Sequence, residues 1–333
     1  MTKCRAFLSP VFENSGWTEP ENEDDEFLIY RCNLGVVTLN LPMIYQKSVR
    51  DNTNFFDELD KYLDIARGIG KKTVEYLKKF KASCSPLVFM EGGFDGGTLD
   101  PDDTIEPVLK YSTITFGYIG LHKLSMLHLK KRLSEDDSFA IDTMNHINEV
   151  IDRYKKEDHL LWAIYGTPAE SLISVACDQF VKEFGKVRGV TDNGFFSNSF
   201  HMHVEDDITP IEKIDKESKF FPLSKGGCIC HVRIPSIAEE MNPGIAAIIR
   251  HAMSLGMYQS VNHAQNRCAD CGEHWIGDDS LPYEENYTCP KCGSLNTIGI
   301  RRMNGYLGFS RTLQGKSRFQ EGKLNEFRVR KNM

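Results

Sequence analysis

No run in this 333-residue sequence approaches the ~20 apolar residues that a helix needs to cross a bilayer, which speaks against a helical membrane span. The opening residues, Met1-Thr-Lys-Cys-Arg-Ala-Phe-Leu8, lack the apolar core of a secretory signal. Positive charge is not in excess either. The formal charge is −7 and the isoelectric point about 5.8, so nothing in the overall balance favours nucleic acid. No internal repeat of 20–50 residues is visible, which argues against a solenoid or propeller. Ten cysteines without an export signal read as reduced thiols in a cytoplasm, not as a disulfide scaffold. What is present suits a globular protein: 41% hydrophobic and 26% charged residues, enough for one large domain or two ordinary ones.

Residues 1–34 read as a loop, with Pro10, Asn14-Ser-Gly16 and the acidic run Glu21 to Glu26 giving no sustained period. Val36 to Leu41 is a strand candidate. Phe55, Leu59, Tyr62, Ala66 and Ile69 repeat at helical spacing, continued by Val74 and Leu77, and predict a long amphipathic helix broken or bent near Gly68 and Gly70. A strand is expected near Pro86 to Met90, then a Gly-rich loop from Glu91 to Gly97 and an apolar stretch from Tyr111 to Leu121. A helix over Asp142 to Tyr154 precedes a strand over Leu160 to Tyr165. Thr167-Pro-Ala-Glu170 fits a capping box opening a helix to about Glu183. Cys228 to Ile234 is a further strand, which would hold Cys228 and Cys230 on one side, for packing or a redox role. Asn242-Pro243 opens another helix, with Asn as N-cap and Pro at the first position. Alternating strands and helices predict an α/β fold with parallel pairing. The late arrival of the first good strand suggests the later part of a larger folding unit.

Cys268-Ala-Asp-Cys271 and Cys289-Pro-Lys-Cys292, with seventeen residues between the pairs, are spaced for metal. A two-residue spacer lets both sulfurs of a pair reach one tetrahedral ion at ~2.3 Å. Gly272 and Gly293 follow the pairs, where a knuckle turn calls for positive φ. Four protein thiolates leave no open coordination position, so the expected zinc is structural. Such a ribbon either binds nucleic acid or protein, or clips a neighbouring loop. Nine Lys or Arg lie between Arg301 and Lys331 against Glu321 and Glu326. They read as a solvated basic tail or as a docking surface for an acidic partner. Gly305 lies thirteen residues beyond Cys292, within Arg301-Arg-Met-Asn-Gly-Tyr-Leu-Gly308. A glycine there serves backbone geometry, or it supplies a Cα–H whose removal leaves a stabilised carbon radical.

The two CxxC pairs followed by Arg-Arg-Met-Asn-Gly-Tyr-Leu-Gly resemble the C-terminus of anaerobic (class III) ribonucleoside-triphosphate reductases, which are glycyl-radical enzymes. Lys3-Cys-Arg5, Cys32-Asn-Leu-Gly-Val-Val-Thr-Leu-Asn-Leu-Pro42, Gly117-Tyr-Ile-Gly-Leu121, Thr167-Pro-Ala-Glu170 and Asn198-Ser-Phe-His-Met-His-Val204 resemble further family blocks in family order. The resemblance implies a ten-stranded α/β barrel of two halves. This chain would supply the finger loop (1–34), the second half-barrel (35–262) and a zinc-binding glycyl-radical module with its basic tail (263–333). The family's N-terminal portion, with its allosteric sites, is not in this sequence, which would then be a fragment, a split gene product or one piece of a two-chain enzyme. By the same resemblance, Gly305 stores a radical placed by an iron–sulfur activase using S-adenosylmethionine, Cys4 becomes the transient thiyl, and Asn33 (or Asn40) hydrogen-bonds the ribose hydroxyls. Thr167, Ala169, Glu170 and Ser171 would receive substrate phosphates at a helix start, and Asn198, Ser199, His201 and His203 would line the substrate pocket. His201 and His203 alternatively form a His-x-His metal pair. Ribonucleoside triphosphate is the implied substrate and the whole enzyme an expected homodimer. The competing readings are a zinc-ribbon nucleic-acid-binding protein and an inactive remnant of the reductase.

Overall fold

Two strands of this chain are buried at every position, and they organise the fold. In the computed structural model, residues 33–91, 99–109, 112–234, 242–277, 281, 283–302 and 307–331 are described. In chain order they form β1 (Asn33–Asn40), α1 (Leu41–Asp51), α2 (Phe55–Leu77), α3 (Pro86–Phe89), α4 (Glu106–Leu109), β2 (Thr113–Ile119), α5 (Leu121–His128), α6 (Ser138–Asp158), β3 (Leu161–Gly166) and α7 (Leu172–Phe184). There follow α8 (Pro210–Ser218), β4 (Cys230–Arg233), α9 (Asn242–Ser254), β5 (Gln259–Asn262), β6 (Ala264–Cys268), β7 (His274–Gly277), α10 (Tyr283–Tyr287), β8 (Thr297–Arg302), β9 (Leu307–Arg311) and α11 (Glu321–Arg328). The chain divides into two compact units that interleave in sequence. The first comprises residues 1–118, 141–167 and 222–228, and the second residues 119–140, 168–221 and 229–333.

The first unit holds a three-stranded sheet in the order β1-β2-β3. β2 and β3 pair in parallel, from Thr113 opposite Leu161 to Tyr118 opposite Gly166. Every residue of both strands is buried, as expected where a parallel sheet is covered on both faces. Helix α2 starts at Asn54, whose side chain accepts from the backbone N–H of Phe56 and Asp57, a standard N-cap. Its buried stripe is Phe55, Leu59, Leu63, Ala66, Gly70 and Val74, while Ile69 is exposed. The expected break at Gly68 or Gly70 is absent, and α2 runs through both. Gly70 is there for packing: a Cβ on it would lie 2.5 Å from the Trp162 ring. Asp158 locks the same junction, accepting from Arg67 Nε and Nη2, both at 2.7 Å, from Lys71 Nζ at 2.7 Å and from Trp162 Nε1 at 3.1 Å.

Three other expectations give way. The strand expected near Pro86 is the short helix α3, with Met90 N–H bonded to Pro86 O at 2.8 Å. Proline favours a first helical turn because its φ is preset and no N–H is needed there. The strand expected from Val36 begins at Asn33 and stops at Asn40. Asn40 instead caps α1, accepting from Met43 N–H at 3.4 Å, with Pro42 in the first turn. The capping box at Thr167 does not form: α7 begins at Leu172 with Ser171 at the N-cap position and no side-chain cap.

The second unit contains a parallel pair, β4 with β5, in register from Cys230 opposite Gln259 to Arg233 opposite Asn262. It also holds a four-stranded antiparallel sheet in the order β7-β6-β8-β9. β4 starts at Cys230, so Cys228 precedes the strand, although both thiols are buried.

Candidate substrate residues and the four-cysteine centre

Asn33 opens β1 and is buried. Its Oδ1 accepts from Gly35 N–H at 3.1 Å, and its side chain lies 3.4 Å from Thr115 Oγ1. The Thr115 hydroxyl donates to Gly35 O at 2.8 Å. Asn33 is thus a polar group fixed by its own turn and the adjacent strand, whereas the competing Asn40 is committed to capping α1. At the far end of the same sheet, the Thr38 and Thr167 hydroxyls share a hydrogen bond of 3.1 Å. Gly117 makes room for that pair: a Cβ on it would fall 2.2 Å from Thr167 Oγ1 and 2.6 Å from Thr38 Oγ1. This contact explains the failed capping box. The Thr167 hydroxyl is bonded to another strand, and Ala169 turns the chain with φ +43 before helix geometry begins.

The other candidates lie in the second unit. Ala169 is buried, and Ser171 precedes α7 without a side-chain cap, which leaves the helix's first N–H groups uncapped by its own side chains. Asn198 bridges Ile119, and the segment is held by Gly120 N–H to Ser197 O at 3.0 Å and Leu121 N–H to Ser199 O at 3.2 Å. Ser199 has φ +31. Ala169 and Ser199 are therefore two non-glycine residues held at positive φ within the expected substrate set. Strain of that kind persists only where the surroundings over-determine it, and it gathers at functional sites.

His201 and His203 do not converge on one point as a metal pair would. His201 Nδ1 lies 3.1 Å from Glu217 Oε2. Glu217 is fully buried and also accepts from Lys213 and, at 3.0 Å, from Met202 N–H. Burial pushes the Glu217 acid up, but Lys213 and His201 outweigh it and hold its pKa at about 2. His203 stacks on His122 at 4.5 Å and lies 3.3 Å from Lys123 Nζ. Burial, with Lys123 and Arg132, pulls its pKa down to about 3, so its ring is neutral at neutral pH.

Asn198, His201 and His203 line one pocket of about 830 Å³, counting the space at its mouth. Its other walls were not legible in the sequence. Arg233 comes from β4, Arg302 from β8, Lys323 from α11, and Arg330 from just beyond α11. The basic run from Arg301 to Lys331 is consequently not a uniformly solvated tail. Arg301, Lys323 and Glu326 are all buried.

The four cysteines converge as their spacing predicts. Their sulfurs lie within 4.8 Å of one another and could hold a metal ion, with 3.6 Å between Cys268 and Cys292 and between Cys271 and Cys289. A tetrahedron with ~2.3 Å bonds places its sulfurs about 3.8 Å apart, so the arrangement fits. Gly272 and Gly293 turn the two knuckles at φ +75 and +72. Asp270 ties the knuckles together, accepting from Ser294 Oγ and, at 2.7 Å, from Asn296 Nδ2. Cys268 ends β6 opposite Thr297 of β8. β8 pairs with β9 through Arg302 opposite Leu307. Gly305 falls between these two strands in sequence. Gly305 and Cys4 both lie outside the described residues.

A parallel α/β sheet together with a four-cysteine antiparallel ribbon defines an α/β protein carrying a module that could hold a metal ion. The particular family follows from comparison: residues 1–333 match the family model for anaerobic ribonucleoside-triphosphate reductase, and the chain belongs to that family. The anaerobic ribonucleoside-triphosphate reductases of Haemophilus influenzae and Escherichia coli are each 32% identical over 314 residues, which covers 92% of this chain and 42% of theirs. That of Enterobacteria phage T4 is 32% identical over 316 residues, covering 92% of this chain and 49% of its own length. The chain thus spans a little under half the length of these relatives. Among solved structures, an anaerobic ribonucleotide reductase superposes with a TM-score of 0.66 at 19% identity, over 90% of this chain and 44% of that one. The enzyme from Thermotoga maritima superposes with a TM-score of 0.61 at 20% identity, over 82% and 43%. These structures share the fold.

Proposed function

We propose that this chain is the C-terminal part of an oxygen-sensitive glycyl-radical reductase that converts ribonucleoside triphosphates to 2′-deoxyribonucleoside triphosphates. The observation that carries the reading is the four-cysteine centre on the sheet that leads to Gly305. Its register, Cys268 opposite Thr297 in the strand that ends three residues before Gly305, supports the reading that it would anchor that stretch. Zinc suits four thiolates, and with no open position it would cross-link without taking part in chemistry. The thiol of Cys4 would give its hydrogen atom to the Gly305 Cα radical, and the resulting thiyl would take the ribose 3′ hydrogen. The bonds broken and formed are of similar strength, so the relay runs near thermoneutrality.

In this reading residues 1–34 are the finger loop, 35–262 the second half of the barrel and 263–333 the radical module. Asn33, rigid and buried beside Thr115, would meet the ribose hydroxyls. The uncapped start of α7, with Thr167, Ala169, Glu170 and Ser171 before it, would meet the substrate phosphates. Asn198, Ser199 and His201 would complete the pocket. Partners are an N-terminal portion of the reductase, a radical activase and, in the whole enzyme, a second copy. A reducing cytoplasm suits the thiols, and no described helix is long and apolar enough to cross a membrane.

The test is low-temperature EPR after anaerobic incubation with the activase, S-adenosylmethionine and the N-terminal portion. A glycyl doublet that Gly305→Ala abolishes supports the assignment, and a folded, metal-loaded chain with no signal sinks it. Cys289→Ser is expected to keep the α/β body soluble while losing the doublet, and a normal radical yield in that variant would refute the anchoring role.

A further inference from the structure

We infer that Glu217 is a positioning residue for His201: it holds the ring proton on Nδ1, which makes Nε2 an acceptor and sets that edge of the pocket to meet a donor group. The inference rests on the proposed function only in taking this pocket to be the substrate's. The helix comes first. α8 starts at the Thr209 capping box and carries Lys213, Ile214 and Glu217 on its buried face. Lys213 and Glu217 are four residues apart, a spacing that on an exposed helix gives an ion pair of little worth. Here both are buried, with side chains 5% and 0% exposed. Taking an ion pair out of water often costs more than the pair returns, so stability alone explains it poorly. What the carboxylate also holds is a second segment. Glu217 Oε1 accepts from Lys213 and, at 3.0 Å, from Met202 N–H, while Oε2 lies 3.1 Å from His201 Nδ1.

The place of the proton follows from who can donate. An ammonium and a backbone N–H only donate, and Oε1 receives both. Burial pushes the Glu217 acid up, but Lys213 and His201 bring its pKa to about 2, so the group is a carboxylate, which only accepts. The proton between Oε2 and Nδ1 therefore sits on nitrogen. In a neutral imidazole a proton on one nitrogen leaves the other an acceptor, and the bond made by the first decides which is which. Lys213 already balances the Glu217 charge, so the ring needs no second proton to satisfy this neighbour. The rings of Phe200 and His231, with centroids at 4.8 and 6.0 Å, flank the imidazole. The Glu217 side chain is wholly buried, whereas that of His201 is 13% exposed and lines the pocket. The inner edge of the ring is thus engaged by α8, and the outer edge carries Nε2. A hydroxyl can donate to that nitrogen. A phosphate oxygen, itself an acceptor, gains nothing from it.

Long-range 1H–15N spectra of the zinc-loaded full chain, labelled at its histidines, read the tautomer directly, with the His201 signals assigned by their loss in His201→Gln. At pH 8 the expected result is one neutral form with the proton on Nδ1. A proton on Nε2, alone or together with one on Nδ1, overturns the inference. Removing the carboxylate alone would strand the Lys213 charge in the interior, so the variant is a double one, Lys213→Met with Glu217→Leu. Its His201 signals should move to the average of two exchanging tautomers. Signals that stay in place in the folded double variant overturn the role given to Glu217. Thr209→Ala weakens the start of α8 without touching the carboxylate and should leave the tautomer as it is. A tautomer lost there would assign it to helix packing and overturn the inference equally. In the assembled and activated enzyme the double variant should form the radical normally and lose at least about tenfold in kcat, the scale of one hydrogen bond, and unchanged turnover would overturn the role in the pocket. The tautomer is read without activation, so its outcome is separate from that of the reductase reading.

Discussion

Two stretches of this chain carry the same local signal and fold differently. Thr167-Pro168-Ala169-Glu170 and Thr209-Pro210-Ile211-Glu212 both have the Thr-x-x-Glu spacing of a capping box, with proline at the first helical position. At Thr209 the box forms in full. The Thr209 hydroxyl accepts from Glu212 N–H at 3.2 Å, Glu212 accepts from Thr209 N–H at 2.8 Å, and α8 follows at once. At Thr167 no helix follows, and α7 starts five residues later with Ser171 at its N-cap position. The difference lies in what each threonine can reach. Thr209 is at the surface, where the helix's own N–H is the best partner available. Thr167 is buried at the end of β3 and meets Thr38 on another strand. A local rule holds where no tertiary contact outbids it, and the stretch that breaks the rule is the one expected to touch substrate.

The largest expected effect comes from breaking the tertiary side of this comparison. Gly117→Ala places a methyl among Thr167 Oγ1, Thr38 Oγ1 and Val36 Cγ2, at 2.2, 2.6 and 2.7 Å before relaxation. Overpacking of that kind costs about 3 kcal/mol. Urea denaturation should show the loss, and a variant as stable as wild type would mean the threonine pair does not hold the Thr167 loop. Next in size is an attempt to make α7 resemble α8. Ser171→Asp puts a carboxylate at the N-cap position, which should cap the helix while repelling a phosphate at the same N–H groups. On the proposed function, KM for the ribonucleoside triphosphate should rise at least about tenfold once the chain is assembled with its N-terminal portion and activated, with thermal stability equal or higher. An unchanged KM would show that the helix start does not meet the phosphates. The converse change is smaller. Thr209→Ala should cost about 1 kcal/mol by the same denaturation assay and leave KM alone.

The parts of the structure that could be read from sequence are those whose cause is local. β2 and β3 are visible as apolar-rich runs, the buried face of α2 as a stripe, and the four-cysteine cluster as two CxxC pairs with a glycine after each. The failures have non-local causes. Gly70 looks like a helix breaker until Trp162 is seen lying where its side chain would be. α1 was missed because it follows β1 with no intervening loop, its start marked only by Asn40 and Pro42. Asn198 and His201 stand in one block of the sequence, but the basic residues that line the same pocket do not. Arg233, Arg302 and Arg330 come from separate stretches, and no periodicity relates them.

The smallest effect sharpens the comparison by pH. The Glu212 carboxyl is held below its ordinary value of 4.5 by the Thr209 backbone N–H, then by the Thr209 hydroxyl. A carboxyl lowered in the folded state stabilises the fold above its unfolded pKa, and that contribution fades as pH falls through the folded value. Glu212→Gln should therefore be less stable than wild type at pH 7, with the gap closing as the pH drops below 4.5. Thermal melts of the two proteins between pH 7 and pH 3 measure it. The group is exposed, so the gap should be smaller than that for Thr209→Ala and should shrink further in salt. A gap that stays constant across this range would mean that the box at α8 works through shape and hydrogen bonding alone. The contrast with Thr167 would then rest on the threonines and not on the glutamates.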